Sequence, residues 1–238
     1  MVGQGPGTIF RLGFSEAGMR ALVVGASGGI GGALAAALRA RGAEVTGLSR
    51  SGDGLEVTDE ASVAATFAGL EPGLDLVVVA TGALVIGGVG PEKTIRAMTA
   101  EGLAAQFAVN AIGPALVMKH ALRLLPRDRV ARLAVLSARV GSIGDNHLGG
   151  WYGYRAAKAA LNQLVRTAAV EAKRTHPLSV FVALHPGTVE TGLAPALRAG
   201  HPSVRADVAA GNLLAVLEGL GPEASGGFYD WKGEVVPW

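Results

Sequence analysis

An apolar run, a glycine turn and an alanine-rich stretch follow one another without a break over residues 21–41. Ala21-Leu-Val-Val24 has the continuous apolar character of a strand covered on both faces. Gly25-Ala-Ser-Gly-Gly29-Ile-Gly31 cuts that run, and residues 33–41 resume as a helix. A strand, a glycine turn and a helix in this order open a doubly wound α/β sheet. The same glycines argue against a membrane span over the uncharged residues 21–38, because they divide it into three short elements. They also let the backbone pass close to a phosphate, while the helix N-terminus presents free N–H groups and the positive end of its dipole. Gly25, Ser27, Gly29, Ile30 and Gly31 are therefore candidates for holding the pyrophosphate of a dinucleotide.

Strand-like runs recur at residues 44–49, 55–57, 74–79, 131–137, 178–184 and 227–230. Helical stretches separate them, starting near residue 59, over 101–125, from 154 onward and over 207–220. The alternation predicts an α/β fold, a doubly wound, mostly parallel Rossmann-like sheet in a single domain. With 238 residues, 50% hydrophobic and 17% charged, the chain can bury one large core. Residues 1–18 are glycine-rich and aperiodic, so the folded domain is expected over 19–238 and the leader is expected to be dispensable.

Twenty-one basic against nineteen acidic residues leave a formal charge of +2, and no basic stripe carries interleaved aromatics. That balance argues against nucleic acid or an acidic membrane surface as partner. The absence of cysteine excludes disulfides, thiolate metal sites and cysteine nucleophiles. His147 has no second ligand at a useful spacing, so no metal site is expected. No basic segment leads into an unbroken apolar core at the N-terminus, and a cytoplasmic location is expected.

The chemistry concentrates in Trp151-Tyr-Gly-Tyr-Arg-Ala-Ala-Lys158. Ala157, Leu161, Leu164, Val165 and Ala168 recur at helical spacing, so Tyr154 and Lys158 stack one turn apart on one face. A phenol ordinarily titrates near pH 10, and a neighbouring ammonium is expected to lower that value toward use as a general acid or base. Upstream, Pro114 lacks an N–H and leaves the carbonyl of Asn110 without its helical partner. A buried water is the natural replacement.

Taken in order, the glycine turn, Asn110, Tyr154 with Lys158, and Pro186-Gly187 resemble the short-chain dehydrogenase/reductase family from about residue 19 to the end. The Gly-Ser-Ile and Gly-Gly-Trp-Tyr-x-Tyr-Arg spacing resembles the carbonyl-reductase branch related to sniffer and C-factor. The resemblance implies hydride transfer between a nicotinamide dinucleotide and a small carbonyl or alcohol. Tyr154 would handle the proton, with Lys158 beside it and Asn110 anchoring a water path. It further implies cofactor contacts at Val57, at Ala80, Thr81 and Gly82, at Pro186 and Gly187, and at Val189 and Thr191. The second strand ends in Ser49-Arg50, where NAD-preferring relatives carry a carboxylate, and a guanidinium can clamp a 2′-phosphate. NADP is therefore the expected cofactor, with NAD as the alternative.

The reactive serine of relatives lies three residues before a glycine, which here is Ala138, with Ser137 one residue early. Alternate strand residues face opposite ways, so Ser137 needs a bulge to reach the site; Ser142 is a further candidate, and Ser137 is preferred. The fault leaves open a low-turnover dinucleotide-binding signalling protein of C-factor type. Relatives also pair through the helices carrying Asn110 and Tyr154, which implies a homodimer or homotetramer.

Overall fold

The computed structural model describes residues 18–191 and 203–238. The leader over 1–18 thus lies, except for Gly18, outside the described residues. So does most of the stretch 192–206, where the family resemblance implies a short substrate-binding lobe.

Six strands form one sheet: β1 (Arg20–Val24), β2 (Glu44–Leu48), β3 (Leu76–Val79), β4 (Ala131–Leu136), β5 (Ser179–His185) and β6 (Phe228–Asp230). Their order is β2-β1-β3-β4-β5-β6, and every paired neighbour is parallel. The winding reverses between β1 and β3, and ligands of such sheets sit beyond the strand ends at that point. Around the sheet lie α1 (Gly29–Ala40), α2 (Arg50–Asp53), α3 (Glu60–Ala68), α4 (Ala100–Phe107), α5 (Gly113–Ala121), α6 (Tyr152–Ala172) and α7 (Ala206–Gly219). None of the described helices is long and apolar enough to cross a membrane.

Because side chains alternate along each strand, the sheet feeds two apolar layers. Leu22, Val77, Leu133 and Phe181 pack with Phe67, Val117 and Leu161 from α3, α5 and α6. Val23, Val78, Ala134 and Val182 pack on the opposite face with Leu34 and Leu38 of α1 and Leu213 and Leu217 of α7. Burial on both faces is why these strands read as unbroken apolar runs.

The strand expected at 55–57 is absent. Two backbone N–H groups here are satisfied locally: that of Leu55 donates to the Ser49 carbonyl, and that of Glu56 donates to Ser62 Oγ at 3.0 Å. Leu55 is buried and Val57 packs against the core, so the apolar signal was real but belonged to a loop tucked under the sheet. The helix expected over 101–125 is also not uniform. α4 and α5 are joined by a π-turn at Ala108–Ile112, closed by the Gly113 N–H donating to the Ala108 carbonyl. Pro114 stands in the first turn of α5, where its missing N–H does least harm. Gly113 packs tightly there, since a Cβ would lie 3.0 Å from Val57 Cγ2 and 3.1 Å from the Val57 carbonyl oxygen.

Candidate active site

α6 buries Ala157, Leu161, Val165 and Ala169 against the sheet. Of the expected apolar positions, Leu164 faces outward instead and Ala168 is half-buried. The seam carries Tyr154 and Lys158 inward, and both are buried, with 6% and 3% of their surface exposed. Lys158 Nζ lies 5.8 Å from the centroid of the Tyr154 ring and donates to the Leu136 carbonyl at 2.9 Å. Burial pushes the phenol up to about 12 and the ammonium down to about 8. The expected lowering of the phenol by its neighbour is therefore reversed: loss of water dominates both groups.

Asn110 is fully buried in the π-turn. Its Nδ2 donates to the Ala83 carbonyl at 2.8 Å and to Gln106 Oε1 at 2.8 Å, while its Oδ1 accepts the Ala83 N–H at 3.0 Å. This clamp fixes the exit of β3. Gly82 lies between Asn110 and Lys158, where a Cβ would stand 3.1 Å from Asn110 Oδ1 and 3.4 Å from Lys158 Nζ. Three expected residues thus converge. Gln106, which also donates to the Leu84 carbonyl at 3.1 Å, is a partner the sequence reading missed.

Ser137 has no bulge to turn it. The β4–β5 register runs unbroken to Leu136 opposite Leu184, and the Ser137 N–H continues it to the Leu184 carbonyl. Its hydroxyl donates to Asn162 Oδ1 at 2.6 Å. Ser142 is spent on its own turn, where its Oγ accepts the Asp145 N–H at 3.1 Å. Ala138 brings only a methyl group to the cleft wall beside them.

A cleft of about 970 Å³ runs past these groups. It is bounded by Ser27 through Gly31, Ala80 through Gly82, Leu136 through Val140, Tyr154, Lys158, His185 through Val189, and Thr191. α1 starts here on Gly28 without any side-chain cap, so its first N–H groups face the cleft uncommitted by a local side chain. The glycines are structural necessities: a Cβ on Gly31 would stand 2.2 Å from the Gly25 carbonyl oxygen, and one on Gly25 2.9 Å from that of Ala80. Thr81 Oγ1 is buried with no hydrogen-bond partner among the described residues. An uncapped helix end, a glycine cradle and an orphaned hydroxyl fit a phosphate-bearing, hydroxylated ligand.

Ser49, Arg50, Val57 and Asn110 do not line this cleft. Ser49 Oγ caps α2 by accepting the Gly52 N–H at 3.0 Å. Arg50 is largely exposed, with a guanidinium nitrogen 3.9 Å from Glu56 Oε2. A polar group on the opposite wall was not foreseen. Arg139 donates to Asp230 Oδ2 at 2.9 Å and to Asp145 Oδ2 at 3.3 Å. Beside it, burial and then the Arg139 charge push His185 down to about 4, against an opposing pull from Asp230.

Residues 25–216 match a family model described as enoyl-(acyl carrier protein) reductase. The chain belongs to the short-chain dehydrogenase/reductase family. This short-chain dehydrogenase/reductase is 38% identical to the C-signal protein of Myxococcus xanthus over 138 residues, 57% of this chain and 78% of the relative. It is 32% identical over 234 residues to 1-hydroxy-2-glutathionyl-2-methyl-3-butene dehydrogenase of Rhodococcus sp. (strain AD45), covering 91% and 98% of the two chains. Its fold matches the crystal structure of an NADPH-bound carbonyl reductase from chicken fatty liver, with a TM-score of 0.78 and 25% identity over 98% of this chain and 100% of that one. As a short-chain dehydrogenase/reductase it carries a methyl group at Ala138, a cleft position where the resemblance places the reactive serine.

Proposed function

We propose that the protein is an NADP(H)-dependent oxidoreductase that reduces the carbonyl group of a small molecule, or oxidises the corresponding alcohol. The observation that carries this reading is that Tyr154 and Lys158 share one cleft with the uncapped N-terminus of α1. Ser27, Gly29, Ile30 and Gly31 would hold the pyrophosphate, and Arg50 a 2′-phosphate. Ala80, Thr81 and Gly82 would line the sugar, and Pro186, Gly187, Val189 and Thr191 the carboxamide end. A nicotinamide dinucleotide, when bound, supplies or takes the hydride.

The chain's own part is the proton. Tyr154, held up to about 12, is protonated at neutral pH and so stands ready to donate to a carbonyl oxygen. Lys158, down to about 8, remains mostly cationic at pH 7 and stabilises negative charge left on the phenol oxygen. The relatives that support the cofactor are the NADPH-bound carbonyl reductase and two further NADP-bound neighbours of the same fold.

The test is turnover of a carbonyl panel with NADPH and NADH by wild type and Tyr154→Phe. Reduction by wild type and loss of at least about 100-fold in the variant are expected. A second reading, a dinucleotide-binding signalling protein with little turnover, is favoured by the missing hydroxyl at Ala138 and the C-signal relative. Equal inertness of wild type and variant, with NADPH still bound, would decide for it.

A further inference from the structure

α6 begins without a cap of its own. Ser49, Asp59 and Thr99 open α2, α3 and α4, and each accepts a free helix N–H through its own side chain. Trp151, at the same place on α6, makes no such bond, and the first turn of α6 contains no acid. Trp151 also stands at φ 54, the one non-glycine residue at positive φ among the described residues. Gly149 at φ 64 and Gly150 at φ 66 precede it, so three successive residues wind left-handed into the helix. For a tryptophan that conformation is strained and persists only where the surroundings impose it.

The restraint comes from the loop between β3 and α4, 61 residues before Gly153. The Trp151 N–H donates to the Glu92 carbonyl, and the Gly153 N–H donates to Glu92 Oε2 at 3.1 Å. Gly153 leaves just enough room, since a Cβ there would stand 2.9 Å from Glu92 Oε1. From the other side Arg155 donates to the carbonyls of Gly150 at 3.0 Å and Val140 at 3.2 Å. A carboxylate at the positive end of a 21-residue helix is also favoured by the helix dipole. The next residue is Tyr154, whose ring meets the Trp151 indole edge-on at 6.3 Å.

We propose that Glu92 is a positioning residue for Tyr154: it caps α6 from the β3–α4 loop, holds the left-handed Trp151 turn, and so sets where the phenol oxygen stands in the cleft. This rests on reading Tyr154 as the proton donor. Displacing such a group by about 1 Å costs on the order of 100-fold in rate, so a remote cap has kinetic weight.

Glu92→Ala and Glu92→Gln discriminate, because glutamine keeps an acceptor for the Gly153 N–H. Each is measured for kcat and KM, for NADPH affinity by fluorescence, and for hydrogen exchange over residues 151–158. Glu92→Ala is expected to lower kcat roughly 10- to 100-fold with NADPH affinity within about twofold, and to speed exchange in the first turn of α6. Glu92→Gln is expected to restore kcat to within about threefold of wild type. An alanine variant with wild-type kcat, or a glutamine variant as slow as alanine, overturns the proposal. If wild type and Tyr154→Phe are equally inert, the reductase reading falls instead, and unchanged exchange in Glu92→Ala would overturn the cap on its own.

Discussion

The hydroxyl of Ser137 is held by the amide oxygen of Asn162 at 2.6 Å, one helical turn beyond Lys158 on α6. Both side chains are buried, so the pair ties the end of β4 to the helix that carries Tyr154 and Lys158. Both positions border the cleft, but the Ser137 hydroxyl is committed to Asn162 and Ala138 offers only a methyl group. Ser137→Ala is expected to cost about 1 kcal/mol in urea unfolding and to change kcat less than about threefold. Ala138→Ser, by offering a hydroxyl to the substrate oxygen, is expected to raise kcat about tenfold or more. A collapse of kcat in Ser137→Ala would return the catalytic role to that residue.

The depressed ammonium of Lys158 predicts a pH limit on the proposed reaction. Its charged form is present below about 8 and lost above it. If Lys158 acts through that charge, kcat/KM for reduction should be flat from pH 6 to about 7.5. It should then fall by up to about tenfold per unit above 8. Lys158→Arg, which cannot lose its proton in this range, should be slower throughout but flat to pH 9.5. A wild-type profile that stays level to pH 9.5 would sever the link between the charge and the rate.

The opening strand, turn and helix were legible because each depends on neighbours in sequence: an apolar run, glycines the backbone crossing requires, and an alanine stretch. The i, i+4 pair of Tyr154 and Lys158 was legible for the same reason. Their proton affinities were not, since burial by the whole fold, invisible in an eight-residue window, outweighs the neighbouring charge. The segment 55–57 misled because three apolar-flanked residues look the same whether they join a sheet or tuck beneath one. The remaining partners are separated in the chain: Ser137 from Asn162 by 25 residues, and Arg139 from Asp230 by 91. Only the strand alternation around Ser137 hinted at one of them, by turning that residue away from Ala138.

His185 couples the opposite cleft wall to stability in acid. Its folded value is about 4, below the ordinary 6.5, chiefly through burial and then the charge of Arg139. A depressed histidine is neutral in the fold, so the unfolded chain binds the extra proton first as pH falls. The contribution is fully present above about 6.5 and lost progressively down to about 4, on the order of a few kcal/mol. His185→Gln, which cannot titrate, should lose less stability than wild type between pH 7 and pH 4.5 in urea unfolding. Parallel losses in both proteins would show that other groups govern acid unfolding.

The proposed NADP preference rests on Arg50, which opens α2 with its side chain 83% exposed and only a loose pairing, 3.9 Å, to Glu56. A doubly charged 2′-phosphate would draw the guanidinium into charge-assisted hydrogen bonds, each worth about 1.5–3 kcal/mol. Arg50→Ala should therefore lower kcat/KM for NADPH roughly 10- to 100-fold and leave NADH within about twofold. Glu56 acts in the opposite sense, since its carboxylate both occupies Arg50 and repels a phosphate. Glu56→Gln should lower the KM for NADPH a few-fold at low salt, and less as ionic strength rises. Steady-state kinetics with both cofactors check all three outcomes. A wild-type preference for NADH, or an Arg50→Ala variant that loses both cofactors equally, would remove the guanidinium from the role.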